Sequence, residues 1–198
     1  MQASELFNQP NTILLDGGMG TMLQAAGMKL GTRPEDLNLE NPELIRSIHA
    51  KYAAAGSRVV NANTFGASPH KLADSKYTLE EVITAGIANC KQAVAPYGAL
   101  VTLDVGPLGE LLEPSGTLAF EDAVAEYGRI VRAGVAAGAD ILYFETFTDL
   151  YEMKAALLAA KENSTLPIMA SMSFEANGRT FTGCTVESFA ATARGLGA

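Results

Sequence analysis

Ala137-Gly138-Ala139-Asp140-Ile141-Leu142-Tyr143-Phe144-Glu145-Thr146 carries the plan of the whole chain. The glycine follows a long helical pattern over Ala119–Ala137, where a left-handed residue closes a helix. A short apolar run over Asp140–Thr146 then reads as a strand. The run is continuous more than alternating, as in strands of parallel α/β sheets covered on both faces. It ends on an acid, Glu145, at its carboxyl end.

The same pattern recurs elsewhere in the chain. Ala55-Gly56-Ser57 follows the helical spacing of Leu44, Ile45, Ile48 and Tyr52 and leads into a strand over Arg58–Thr64. That helix, Pro42–Ala55, opens with Asn41 as N-cap and proline at its first position. Further strands are expected at Ile13–Asp16, Leu100–Val105 and Pro167–Phe174, and further helices at Leu79–Ala95, Leu150–Lys161 and Val186–Leu196. Leu196-Gly197-Ala198 repeats the helix-closing glycine at the last residues of the sequence. Each interval between strand starts can hold a right-handed βαβ crossover. Five βα units fit an open doubly wound sheet or five-eighths of a (β/α)8 TIM barrel. A full barrel takes about 250 residues or more, so length alone favours the open sheet.

The 198 residues carry 14 Lys+Arg against 22 Asp+Glu, a formal net charge of −8. With 48% hydrophobic and 18% charged residues, the chain buries a sizeable core and is not a disordered sequence. The acidic balance argues against a nucleic-acid partner or an anionic membrane surface. No apolar run reaches the roughly 18 residues of a membrane span. Met1–Asn11 lacks the basic and apolar regions of a signal peptide, so a cytoplasmic location is expected. Two cysteines make no disulfide scaffold.

Polar residues gather where the expected strands finish: Asp16-Gly17-Gly18, then Asn61, Asn63 and Thr64, then Asp104, then Glu145, with Ser171 and Ser173 on the last strand. In a parallel α/β protein these ends share one rim, where ligands bind. Asp16, Asp104 and Glu145 on one rim suit a cationic group, a metal or a proton transfer. Acids at strand ends also cap helices and turns. Asp16-Gly17-Gly18-Met19-Gly20 lacks the third glycine of a dinucleotide fingerprint and the Gly-Lys-Ser/Thr of a phosphate loop. His49, His70, Cys90 and Cys184 form no close pair of metal ligands. His49 and Cys90 fall inside expected helices, and Cys184 has no basic neighbour in sequence to make it a nucleophile.

Six segments, read in order, resemble the homocysteine S-methyltransferase family. They are Leu15-Asp16-Gly17-Gly18-Met19-Gly20-Thr21, Pro34-Glu35-Asp36-Leu37-Asn38, Asn61-Ala62-Asn63-Thr64-Phe65-Gly66-Ala67, Asp104-Val105-Gly106-Pro107-Leu108-Gly109-Glu110, Phe144-Glu145-Thr146-Phe147-Thr148-Asp149 and Asn177-Gly178-Arg179-Thr180-Phe181-Thr182-Gly183. The stretch through Gly106–Gly116 most resembles the homocysteine-binding barrel of cobalamin-dependent methionine synthases.

The resemblance implies a (β/α)8 barrel and methyl transfer to the thiol of homocysteine, giving methionine. It implies zinc, bound by three cysteines, that holds the thiol as a thiolate; a free thiol of pKa about 8.5 is mostly protonated at neutral pH. It implies methylcobalamin as donor, with corrinoid-binding and folate-binding modules as partners. It places the substrate ammonium on Asp16 and Glu145 and the substrate carboxylate on the amides of Gly17 and Gly18. Asn63 and Thr64 are further rim candidates, and Asp104 has no assigned role. Neither Cys90 nor Cys184 matches a zinc-ligand position of the family. Residues 1–198 are therefore expected to be the N-terminal part of one barrel domain, its first five units, ending before strand six. Two alternatives stand beside this expectation: a non-catalytic fragment that binds an amino acid or a partner, and an unrelated barrel enzyme acting on a phosphorylated metabolite. The last needs a Lys or Arg at the carboxyl end of a strand, and strands one to four carry none there, Arg58 standing at the start of the second.

Overall fold

The computed structural model describes residues 3, 5, 8–29 and 31–198. Four parallel strands lie in sequence order: β1 Val59–Asn61, β2 Leu100–Val105, β3 Ile141–Phe147 and β4 Ile168–Met172. Helices α1 Met19–Ala25, α2 Leu37–Glu40 and α3 Pro42–Ala54 precede β1. Helices α4 Leu79–Val94, α5 Phe120–Ala136 and α6 Leu150–Asn163 form the three crossovers, and α7 Val186–Leu196 follows β4.

Local chemistry sets the helix limits. Asn41 Oδ1 accepts from the Leu44 N–H at 3.3 Å, and Pro42 occupies the first position. Thr78 and Glu81 form a reciprocal capping box at the start of α4. Gly56, Gly138 and Gly197 take φ of 108°, 87° and 97°, the left-handed conformation expected from the repeated helix ends.

Along each strand the side chains alternate between two different environments. Val60, Val101, Leu103, Val105, Leu142 and Phe144 enter one large core with the inward faces of α4, α5 and α6. Packing there is close: a Cβ on Gly134 of α5 would lie 2.4 Å from Leu103 Cδ2. The opposite face begins apolar, where Val59 and Ile141 are buried against Ala3, with Ile13, Leu100 and Met169 around them. It turns polar toward the carboxyl ends, through Asn61, Thr102, Asp104, Tyr143, Glu145 and Ser171. The three crossover helices therefore cover one face only. That arrangement is not doubly wound, which needs helices on both faces.

Two strand expectations are corrected. Ile13–Asp16 makes a single parallel bridge, Leu15 to Val59, and no strand. The next ladder donor, the Asn61 N–H, bonds the Asp16 side chain at 3.1 Å in place of further backbone. The second strand stops at Asn61, not Thr64, because the Thr64 N–H turns back to the Ala62 carbonyl at 2.8 Å. The short helices α1 and α2 are additions that the periodicity of the sequence does not announce. No helix among the described residues is long and apolar enough to cross a membrane.

Among the described residues, β4 pairs only with β3, and all five of its residues are partly exposed. Leu14, at the other edge, is 54% exposed. Unpaired edges beside apolar surface recruit other chains. The 198-residue chain is expected to self-associate at micromolar concentration, as read by sedimentation velocity. A cooperatively unfolding monomer would show instead that this sheet stands alone.

Candidate functional site

A cavity of about 440 Å³ opens at the carboxyl ends of the strands. Its wall includes Asp16, Gly17, Gly18, Asn63 and Glu145, five of the six residues expected there, together with Asp104. It also includes Glu35, Asn61 and Phe65. The described wall contains four carboxyl groups and no Lys, Arg or His.

Thr64, the sixth, is not part of the wall. It is buried, its hydroxyl donating to the Asp104 carbonyl at 2.8 Å and accepting from the Asp104 N–H at 3.1 Å. The expectation that it faces a ligand is corrected: Thr64 joins the end of β1 to β2. Asn63 is also engaged as a support, since its amide donates to the Pro34 carbonyl at 2.7 Å and to Asn38 Oδ1 at 2.9 Å. Asn38 in turn donates to the Asn63 carbonyl at 2.8 Å. This buried amide cluster fixes the loop after β1.

Each acid is set differently. Asp16 follows the bridge at Leu15, and its Oδ2 accepts from the Asn61 N–H, while its Oδ1 is buried without a partner. Burial pushes the Asp16 carboxyl up to about 7; the Asn61 bond opposes this and the Glu145 charge adds to it slightly. Glu145 also lies above the usual carboxylate range through burial, partly offset by the Tyr143 hydroxyl. A β-bulge between Phe144 and Phe147 lets both rings enter the core and leaves Glu145 on the cavity face. Thr146 takes φ of 57° within it, a strained conformation for a β-branched residue. Its N–H bonds the Ser171 hydroxyl at 3.1 Å.

Burial raises Asp104 as well, followed by the charges of Glu145 and Asp16. Glu35 is raised by burial too, although it accepts from the Gly66 N–H at 2.7 Å and lies near Lys71 and Arg33. The sequence pattern gives Glu35 no role in the site. The signal that could have found it was its partner, since a side chain at Gly66 would strike Glu35 Oε1 at 2.6 Å. Phe65 closes the cavity against Gly106, whose own Cβ would meet the ring at 2.7 Å. The loop beyond Gly106 is anchored from behind by the buried Glu152 of α6. That carboxylate accepts from the Leu108 N–H at 2.8 Å and the Tyr127 hydroxyl at 2.9 Å.

The residues present do not fit a metal centre. Among the described residues no three of His, Cys, Asp and Glu are grouped so as to hold a metal ion. Cys90 is buried in α4 with its thiol toward the Val60 carbonyl. Cys184 lies in the loop after β4, donating to the Thr185 carbonyl at 3.2 Å and lining a different, open depression with Glu113 and Asp149. Both His49 nitrogens are buried without partners, and His70 bridges Glu110 and Glu126.

The profile of the family described as homocysteine S-methyltransferase matches residues 13–198. Among solved structures, the chain is similar to the oxidised form of the homocysteine methyltransferase MmuM of Escherichia coli, at 25% identity and a TM-score of 0.86. That alignment covers 96% of this chain and 72% of the other. The metallated form of the same enzyme aligns at 23% identity and a TM-score of 0.83, over 98% of this chain and 74% of the other.

A carboxyl raised from 3.8 to about 7 leaves the folded chain holding a proton that the unfolded chain has released between these values. The folded state therefore loses stability as pH rises from about 4 through about 7. Asp16→Asn is expected to flatten this fall and to leave the variant at least as stable as the parent at pH 8. Urea unfolding at pH 5, 6.5 and 8, at one protein concentration, measures it; parallel profiles would remove Asp16 as the source.

Proposed function

Because the chain belongs to the homocysteine S-methyltransferase family, we propose that it binds homocysteine in the carboxylate cavity for methyl transfer to the thiol. The observation that carries this reading is a cavity walled by Asp16 and Glu145 with no cationic side chain in its described wall. Such a cavity suits a ligand that brings its own positive charge. In the proposed pose the ammonium rests against Asp16 and Glu145, and the amides of Gly17 and Gly18 take the carboxylate. The ring of Tyr52 stands 3.0 Å from where a Cβ on Gly17 would be, which supports the need for glycine there. The Tyr52 hydroxyl donates to the Gly18 carbonyl at 3.2 Å and holds this turn in place.

The fold we propose is the first five units of a (β/α)8 barrel, residues 1–198 forming part of a single domain. Helices on one face, strands in sequence order and a polar opposite face support it. The product would be methionine. For the donor we propose methylcobalamin on a corrinoid module, with a folate module as its source, on the likeness of residues 106–116. Zinc activation of the thiol is proposed for the family's complete domain. Cys90 and Cys184 do not fit it, so no step is assigned to zinc on this chain.

A second reading is an amino-acid-binding module without chemistry of its own. Calorimetric titration with L-homocysteine under reducing conditions, with and without zinc, tests the binding that both readings require. Binding in neither condition overturns both. Glu145→Gln is expected to weaken homocysteine binding roughly 10- to 100-fold, the worth of one charge-assisted hydrogen bond. Unchanged affinity would remove Glu145 from the site. After dialysis the chain is expected to retain well under one equivalent of zinc by metal analysis. One tightly held equivalent, lost on Cys184→Ser, would overturn the account of the missing ligands.

A further inference from the structure

The two-carboxylate pose leaves one acid of the cavity unused. Asp104 stands on β2 between Leu103 and Val105, which enter the core on the other face of the sheet. Its own side chain faces the cavity, yet the residue is only 6% exposed. Its backbone is clasped by Thr64 through both the N–H and the carbonyl. Its carboxyl is not: Oδ1 is buried without a partner. A buried acceptor left without a donor is unfavourable, because it has given up its hydration without replacement. Asp16 presents a second such oxygen, Oδ1, on the same wall. Glu145 is the third acid, and its charge and that of Asp16 both act on Asp104.

Neither the fourth acid nor a divalent cation accounts for the orphaned oxygens. Glu35 is already engaged by the Gly66 N–H and lies near Lys71 and Arg33, so it supplies acceptors to the protein. A bare divalent ion needs oxygens within about 2.0–2.6 Å of one point. No three acids among the described residues form such a group. An ammonium is larger, with its acceptors near 2.8 Å from nitrogen, and it carries three N–H donors.

We propose that Asp104 is the third acceptor of a three-carboxyl ammonium seat, and that it makes the cavity select amino thiols over the same thiol acid lacking the amine. The proposal rests on the reading of this cavity as the homocysteine site. Each N–H of the ammonium then meets one of the three carboxyls, those of Asp16, Asp104 and Glu145. Bringing three acids together in one cavity is unfavourable until a cation arrives, so the free energy released on binding depends on the ligand's amine. A ligand without it leaves the orphaned oxygens of Asp16 and Asp104 unpaired, the kind of penalty by which polar sites reject analogues lacking a hydrogen-bonding group. The rigid backbone clasp at Thr64 sets the position of Asp104 without using its carboxyl.

Titration calorimetry of the 198-residue chain with L-homocysteine and with 4-mercaptobutanoate, which differs only by the missing amine, tests the proposal. The wild-type chain is expected to prefer homocysteine by roughly 100-fold or more. Asp104→Leu is expected to lose about 10-fold or more of that preference, with affinity for 4-mercaptobutanoate within about 3-fold of wild type. Asp104→Ser, which adds no bulk, carries the same expectation should the leucine variant fail to fold by circular dichroism. A wild-type preference retained in the folded variant overturns the role of Asp104 alone. Equal weakening toward both ligands also overturns it and makes Asp104 a structural residue. Failure of the wild-type chain to bind homocysteine, with or without zinc, removes the homocysteine reading and this proposal together.

Discussion

Four carboxyl groups line one described cavity wall that contains no cationic side chain, and the surrounding structure is organised around that burden. Like charges taken out of water repel each other and lose hydration, so each must find donors or hold a proton. Asp16 takes the Asn61 N–H and Glu35 takes the Gly66 N–H. Asp104 is held by its backbone alone, and its carboxyl stays well above the ordinary range. The wall thus concentrates buried acceptors that the protein itself leaves without donors, Asp16 Oδ1 and Asp104 Oδ1.

Such an arrangement holds only if the wall does not give way. On the outer face of the sheet, helices α4, α5 and α6 bury one continuous apolar core against the strands. Burial of that kind contributes roughly 25 cal/mol per Å² of apolar surface and tolerates a few unsatisfied polar atoms elsewhere. Between core and cavity lie polar struts. Asn38, Asn63 and Asn89 interlock through buried amides, with the Asn89 side chain donating to the Asn38 carbonyl at 2.8 Å. Glu152 ties the loop after β2 to α6. Strain at Thr146 and the neighbouring bulge settle a conflict on β3: two phenylalanines claim the core while Glu145 claims the cavity. Displacing Glu145 by one residue would carry its carboxylate to the wrong face.

The amino-acid sequence by itself determined the repeating unit. Apolar runs, 3.6-residue periodicity and helix-closing glycines are local signals, and Gly56, Gly138 and Gly197 adopt the conformation those signals require. The acids at strand ends were equally legible, because parallel strands bring their carboxyl ends to one rim. Asp16, Gly17, Gly18, Asn63 and Glu145 meet there. Only the tertiary structure decided that the crossover helices cover one face. Handedness and face depend on packing between segments far apart in the chain, and both candidate folds share the same local pattern. Only the tertiary structure turned Thr64 away from the cavity and gave its hydroxyl to Asp104, and only it replaced the first strand by a bond from the Asn61 N–H to the Asp16 side chain. Those choices depend on which donor meets which acceptor across 40 or 45 residues of chain, and no local spacing encodes that meeting.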